Sequence, residues 1–395
     1  MKILLLAHPY HKKTRSNQFF LDELKKRGHK VTVVFYEETG LAYIHNYMMA
    51  NSNLIRIIKL YDKHEVIIFW QVNPLEFPEP TQRKIFVPMV DAVALKGFDF
   101  FYTLKNFEFI SFSSNLHNYL KIRGLRSTLI RYFPGPAPRK ADKLPKQESI
   151  RIFFWERRAD SPINLTNLIT KLPAELSFEI LYRPALDPVE GISESKSWEL
   201  DPARKNVRLT NLGNKWLSDL EYLEIIQSCS WFIAPRMSEG IGLSFLNALS
   251  VGIPVIAQDF PTMSEYIQHG ENGILTNFSH PKKFKAAQLL ETKIDAIYKL
   301  NLEYRKIYQG DLESYNSYFE SGNIDEPNNQ KIRIKYRLPR FGLSFARLDT
   351  PWLAFAITKN PFFGIFFYIK VLSKKIVKFF IHKLVNVLSK ILNKL

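Results

Sequence analysis

Residues 230–278 read SWFIAPRMSEGIGLSFLNALSVGIPVIAQDFPTMSEYIQHGENGILTNF. Trp231 to Pro235 is a short apolar run that suits a buried strand. Arg236 to Gly242 is a polar turn with two glycines. From Leu243 to Val251 the apolar residues Leu243, Leu246 and Leu249 fall at helical spacing, and Gly252 supplies a C-terminal stop. Pro254 to Ala257 reads as the next strand, Glu265 to Ile267 as a short helix, and Gly270 to Gly273 as a turn. The unit is strand, loop, helix, strand of a parallel sheet, with a glycine-bearing loop opening onto a helix N-terminus. Loops of that kind hold phosphate, because backbone N–H groups and the positive end of the helix point the same way.

At these residues the chain resembles the group 1 (family 4) retaining glycosyltransferases. Glu239-Gly240-x-Gly242-Leu243, a short helix, Gly252-x-Pro254-Val255-Ile256-Ala257, then Glu265 and the Asn272-Gly273 turn are similar to the donor-site signature of that family. The resemblance implies an α/β, GT-B-like fold: two Rossmann-like domains facing across a cleft, the nucleotide sugar held by the C-terminal domain and the acceptor by the N-terminal one. It implies that Glu239 contacts the donor sugar hydroxyls. It also implies that the backbone of Gly240, Ile241, Gly242, Leu243 and Ser244 stabilises the departing diphosphate. The family pattern has a second glutamate, which grips the ribose, where this chain has Asn247. An amide can still donate and accept hydrogen bonds there. The alternative reading of the stretch is a parallel-sheet unit that binds no ligand.

The chain has 395 residues, with 46% hydrophobic and 14% aromatic content, enough for two packed cores and a tail. A single cysteine, Cys229, excludes an intramolecular disulfide and fits a reducing compartment; beside an apolar strand it reads as a buried structural thiol. The opening MKILLLAHPYHKK lacks the apolar length and cleavage site of a signal peptide. No uninterrupted apolar run reaches the roughly 20 residues of a spanning helix. A net charge of +17 calls for a polyanionic partner or surface.

The first half, residues 1–139, reads as a Rossmann-like acceptor domain. Lys2 to Ala7 is a buried-strand pattern, Gln18 to Lys26 is helical, Gly28 closes that helix, and Lys30 to Tyr36 is a second strand. The connecting loop, His8 to Ser16, lies at a strand's carboxyl end, where a cleft is expected. The glycine pair often found there in the family is missing. His8, His11, Lys12, Lys13 and Arg15 make the loop basic, suited to donor phosphates or an anionic acceptor, or merely a solvated charged loop. Further strands are expected at Glu65 to Trp70, Arg83 to Pro88, Glu108 to Phe112 and Ser127 to Phe133. Asp91 follows the second of these, either to bind an acceptor hydroxyl or to cap a helix. Ser113 and Ser114 are expected to cap the next helix.

Residues 134–149 are proline-rich and charged, with residues 140–149 as the linker proper. The donor domain then runs over 150–327, opening on the strand Ile150 to Trp155. The family carries an arginine after this strand and a lysine some residues on, both holding the donor diphosphate. Arg157 or Arg158 matches the arginine; the lysine position falls near Pro162 and Ile163 and is lost. A guanidinium suits a diphosphate through its planar fork, and a surface pair at a strand end is the bland alternative. Phe178 to Tyr182 and Val207 to Leu209 read as strands. By resemblance the Leu212-Gly213 turn, with Lys215 beyond it, lies beside the nucleotide base. No Asp-x-Asp and no His/Cys cluster has metal-ligand spacing, so no metal and no cofactor is expected besides the donor itself.

From Lys331 on there is one acid, Asp349, among many Lys and Arg residues. Within this basic tail, 328–395, Ile369, Leu372, Ile376, Phe380, Leu384, Val387 and Ile391 share one helical face, and Lys375, Lys378 and His382 lie on the other. Such a pattern suits an anionic membrane interface; packing across the N-terminal domain is the alternative, and nucleic acid is not the expected partner.

The expectation is therefore a retaining, metal-independent hexosyltransferase-type enzyme, peripheral on the cytoplasmic face of the membrane. It would move a sugar from a nucleotide sugar to a lipid-linked or polysaccharide acceptor in bacterial surface-glycan biosynthesis. A nucleotide-sugar epimerase and a catalytically weakened glycan- or lipid-binding protein of the same fold are the alternatives.

Overall fold

Two runs of short apolar segments fold into two parallel six-stranded sheets. The computed structural model describes residues 1–36, 56–77, 79–93, 98–135, 149–157, 161–184, 204–214, 217–280, 282–291 and 293–321. The expected linker core, Arg158, Lys215 and the basic tail lie outside the described residues.

The first sheet contains β1 (Lys2–Ala7), β2 (Lys30–Phe35), β3 (Val66–Trp70), β4 (Arg83–Val87), β5 (Glu108–Ser111) and β6 (Ser127–Leu129), in the order β2-β1-β3-β4-β5-β6. β1 and β3 are apolar along almost their whole length because both faces are covered, as parallel strands require. The second sheet contains β7 (Ile150–Trp155), β8 (Phe178–Arg183), β9 (Val207–Asn211), β10 (Trp231–Ile233), β11 (Val255–Gln258) and β12 (Gly273–Thr276), in the order β12-β11-β10-β7-β8-β9. In each sheet the chain winds outward from one central strand and then returns to its other side. The direction reverses between β1 and β3 and between β7 and β10. Ligands of such sheets bind at the carboxyl ends beside that reversal. This is the GT-B arrangement of two Rossmann-like domains that the resemblance implies.

Several boundaries differ from the sequence expectation. β6 stops at Leu129 rather than Phe133, and β9 runs on to Asn211. The expected loop 8–16 contains a short helix, Tyr10–Thr14, which ends on Arg15 in the left-handed region at φ 52°. The helix Ile294–Ser321 has no counterpart in the sequence reading. It begins on the second domain, where Asn301 donates to the Leu249 carbonyl at 2.6 Å. It ends on the first, where Arg131 forms a fork with Asp311 at 2.6 and 2.8 Å and Arg83 donates to the Phe319 carbonyl at 2.8 Å.

A second tie joins the domains near the cleft. Glu265 is buried and accepts hydrogen bonds from the Ser113 hydroxyl at 2.5 Å, the Ser114 N–H at 2.7 Å and the Asn115 N–H at 3.2 Å. Ser113 caps the helix Ser114–Ile122 as expected. Ser114 is not a second cap; its N–H is spent on a carboxylate from the other domain.

Candidate functional site

The carboxyl ends of the two sheets enclose a cavity of about 440 Å³. Its floor is the loop between β10 and the helix Leu243–Ser250. Gly242 stands at φ 81°, and a Cβ there would come within 1.9 Å of the Phe245 ring, so the turn into the helix requires glycine. Gly240 is demanded by the other domain: a Cβ would lie 2.8 Å from the Met89 Cβ and 3.0 Å from Asp91 Oδ1. Thr262 donates to both the Glu239 and Gly240 carbonyls, at 2.9 and 3.0 Å, which fixes the loop from behind. No side chain caps the helix that follows, so its first N–H groups and its dipole are suited to an anion.

Glu239 is buried between two guanidinium groups, with Arg157 and Arg236 each 4.0 Å from its carboxylate. Arg236 also pairs with Asp91 at 2.8 Å. Asp91 lies in the first turn of the helix Val90–Val93, and its carboxylate is spent on this cross-domain ion pair rather than on a cap. Asp91 Oδ1 and the Ser244 hydroxyl are buried without a hydrogen-bond partner among the described residues. Arg157 donates to the Tyr10 hydroxyl at 2.9 Å, so the short helix after β1 reaches the second domain directly at Arg157.

The opposite wall is aromatic. Phe19, Trp70 and Tyr132 line it, with Phe19 and Tyr132 rings 4.0 Å apart. His11 sits among them, 2.6 Å from the Ser16 hydroxyl. Burial, reinforced by the neighbouring His8, lowers its pKa to about 4 against a weaker pull from Gln71. His11 is therefore a neutral imidazole at physiological pH. Gln71, at the end of β3, holds a left-handed φ of 63°, and strain of that kind collects where a side chain is aimed at a ligand.

Of the residues singled out in the sequence, Glu239, Arg157, Asp91, Gly240, Ile241, Gly242, Leu243, Ser244, Asn247, His11 and Arg15 line this one cavity. His8, Lys12 and Gly213 do not: His8 is turned back onto the Tyr10 N–H at 3.1 Å and Lys12 is exposed. The sequence reading missed Tyr10, Trp70, Trp155, Arg183, Tyr222 and Arg236, all in the lining. The signal was positional: Trp70, Trp155 and Arg183 are the last residues of β3, β7 and β8.

Residues 205–306 match the family model described as glycosyl transferases group 1. That stretch is similar to a group 1 glycosyl transferase domain. A UDP-N-acetylglucosamine--peptide N-acetylglucosaminyltransferase GtfA subunit from Streptococcus parasanguinis is 29% identical to this chain over 93 residues, 23% of this chain and 18% of that protein. The chain spans about a fifth of the length of the curated relatives it matches. Among solved structures, the sucrose-phosphate synthase of Thermosynechococcus elongatus superposes with a TM-score of 0.55 at 14% identity, covering 81% of this chain and 98% of that one. Anabaena HepE in complex with UDP and glucose gives 0.50 at 14% identity, over 80% and 100% of the two chains. Those likenesses carry the fold. The matched residues 205–306 contribute Leu217, Asp219, Tyr222, Arg236, Glu239, the Gly240–Ser244 loop and Asn247 to the cavity; the rest of the lining comes from the ends of β7 and β8 and from the first domain.

Proposed function

We propose that this protein is a glycosyltransferase that takes a nucleotide-sugar donor in the cavity between its two sheets. The observation that carries the reading is the convergence of Glu239, Arg157 and the uncapped helix Leu243–Ser250 on one cavity at the point where both sheets reverse direction. The helix N-terminus and Arg157 receive the diphosphate, and Glu239 orients the sugar hydroxyls. In the reaction the bond from the anomeric carbon to the diphosphate oxygen breaks, and the diphosphate leaves with the electron pair. The acceptor oxygen bonds to the same carbon, and its proton passes to the leaving oxygen or to solvent. Arg157 and the backbone N–H groups stabilise the charge that develops.

The finer reading is retention of anomeric configuration, with the acceptor attacking from the face that the leaving group vacates. No metal is needed in this scheme, because arginine and helix dipole do the work of a cation. The acceptor is lipid-linked or polysaccharide, its sugar lying on the aromatic wall of Phe19, Trp70 and Tyr132, and the basic segment 328–395 holds the enzyme on an anionic membrane face. Asn247, where the family pattern has glutamate, favours a second reading, a binding protein that has lost turnover.

The test is a thermal-shift screen against uridine, guanosine, adenosine, thymidine and cytidine diphosphates, with and without EDTA. A ligand that binds only the folded protein raises the melting temperature. A shift with one diphosphate, indifferent to EDTA, and release of that diphosphate from its sugar conjugate on adding acceptor are expected. Binding without release would favour the second reading, and no shift with any nucleotide would remove both.

A further inference from the structure

Two buried guanidinium groups share one aromatic ring in this cavity. Arg157 and Arg183 lie over Trp155, at 4.8 and 4.5 Å from the ring centre. They are 9% and 3% exposed. They stand together for a reason of topology. β7 and β8 are adjacent and parallel, Trp155 is in register with Arg183, and the Glu156 N–H donates to the Arg183 carbonyl at 2.9 Å. Arg157 follows at the same carboxyl edge. Burial, together with repulsion from Arg157, lowers the pKa of Arg183, while Tyr222 acts the other way. Arginine remains charged even so, so the edge of the sheet carries two like charges out of water. Glu239 and Asp91 are already engaged with Arg157 and Arg236. The lining as a whole carries Arg15, Arg157, Arg183 and Arg236 against Asp91, Asp219 and Glu239, an excess of positive charge that suits an anionic ligand.

We infer that Arg183 is a second diphosphate ligand of this site, working with Arg157 across the Trp155 ring. The inference rests on the nucleotide-sugar reading above. The segment where the resemblance implies a diphosphate lysine cannot supply that charge here. Ile163 is fully buried in the second domain's core, and Pro162 gives its carbonyl to Asn167 at 2.9 Å. Arg183 brings a cation to the same edge from the neighbouring strand. The indole holds both guanidinium planes through cation–π contact, which limits the rotamer freedom lost when the ligand arrives.

The experiment is calorimetric titration of wild type, Arg183→Gln and Arg183→Lys with the diphosphate found in the screen and with the matching monophosphate. Loss of one charge-assisted hydrogen-bonding group weakens the diphosphate about 10- to 100-fold in Arg183→Gln. The monophosphate, held through base, ribose and one phosphate, changes less than about threefold. Arg183→Lys keeps the charge but not the fork, and falls between. Equal diphosphate affinity in wild type and Arg183→Gln overturns the inference and leaves the transferase reading standing. An equal loss for mono- and diphosphate also overturns it, since that marks a structural residue. Wild type that binds no diphosphate overturns both. Should Arg183→Gln fail to fold, Arg183→Lys carries the same comparison: a selective loss of diphosphate affinity supports the inference, and an unchanged diphosphate-to-monophosphate ratio overturns it.

Discussion

Glu239 occupies a position that is costly to fill with a carboxylate unless the charge is used. It is buried, flanked by Arg157 and Arg236, and its backbone carbonyl is tied to Thr262. Glu239→Gln keeps the shape and removes the charge. Turnover of the sugar conjugate is expected to fall on the order of a hundredfold, with diphosphate affinity nearly unchanged, because the loss is one of orientation at the reacting centre. Comparing kcat with nucleotide binding checks this; an equal loss of both would make Glu239 a structural residue. His117 offers a second test at this scale. Burial, with Lys121 and Arg131 nearby, lowers its pKa from 6.5 to about 4. The unfolded chain thus binds a proton at a pH where the folded one does not. The sign is clear: stability from this group is full above about pH 6.5 and is lost as pH falls toward 4. At pH 5 the loss is about 2 kcal/mol. His117→Asn should erase that share, so urea midpoints of wild type and variant at pH 7.5 and 5 should diverge in that sense.

At the scale of elements, the helix Ser114–Ile122 depends on a residue from the other domain. Glu265 receives three donors at its N-terminus and complements its dipole. Burial raises the Glu265 pKa, and the Ser113, Ser114 and Asn115 donors partly offset that shift. Glu265→Ala would leave those donors buried and unpaired, at a cost of about 2–3 kcal/mol. Chemical denaturation measures it, and a loss under 1 kcal/mol would show that water replaces the carboxylate. The loop–helix unit at residues 236–250 makes the opposite demand. Gly242→Ala would drive a Cβ into Phe245 and strain a positive φ. A loss of about 1–3 kcal/mol is expected, with weakened diphosphate binding, since the helix N-terminus would shift.

At the scale of the whole molecule, the ties that hold the two sheets facing each other include the helix Ile294–Ser321, the Glu265 cap, the Arg236–Asp91 pair and the Arg157–Tyr10 hydrogen bond. The cavity wall is shared between the domains, so a ligand there binds both. Unfolding should be a single calorimetric transition that a nucleoside diphosphate moves as a whole, by about 2.7 kcal/mol at a hundredfold excess over Kd. Two transitions, only one of which responds, would show that the domains melt independently.

Much of this was legible in the chain because local pattern and tertiary role coincide. The apolar run of β1, the glycine loop before Leu243 and the helix and strand after it are each specified by neighbours in sequence, and buried parallel strands leave a plain hydrophobic signature. Gly242 could be read as a turn residue from its context alone. Gly240 could not be read as a point of close approach, because the atoms that forbid a side chain there, Met89 and Asp91, come from the other domain. Arg183 falls just past the strand expected at Phe178 to Tyr182, and only the register of β7 and β8 sets it beside Arg157 and Trp155. For Asp91 the sequence offers a helix cap or an acceptor ligand, and its ion pair with Arg236 is visible only once the two domains meet. The sequence by itself determined the two sheets and the loop that forms the floor of the cavity, since hydrophobic periodicity and turn chemistry act over a few residues. Only the tertiary structure decided which charges meet, because ion pairs and cation–π contacts form between residues that strand order and domain closure bring together, and neither leaves a mark on local sequence.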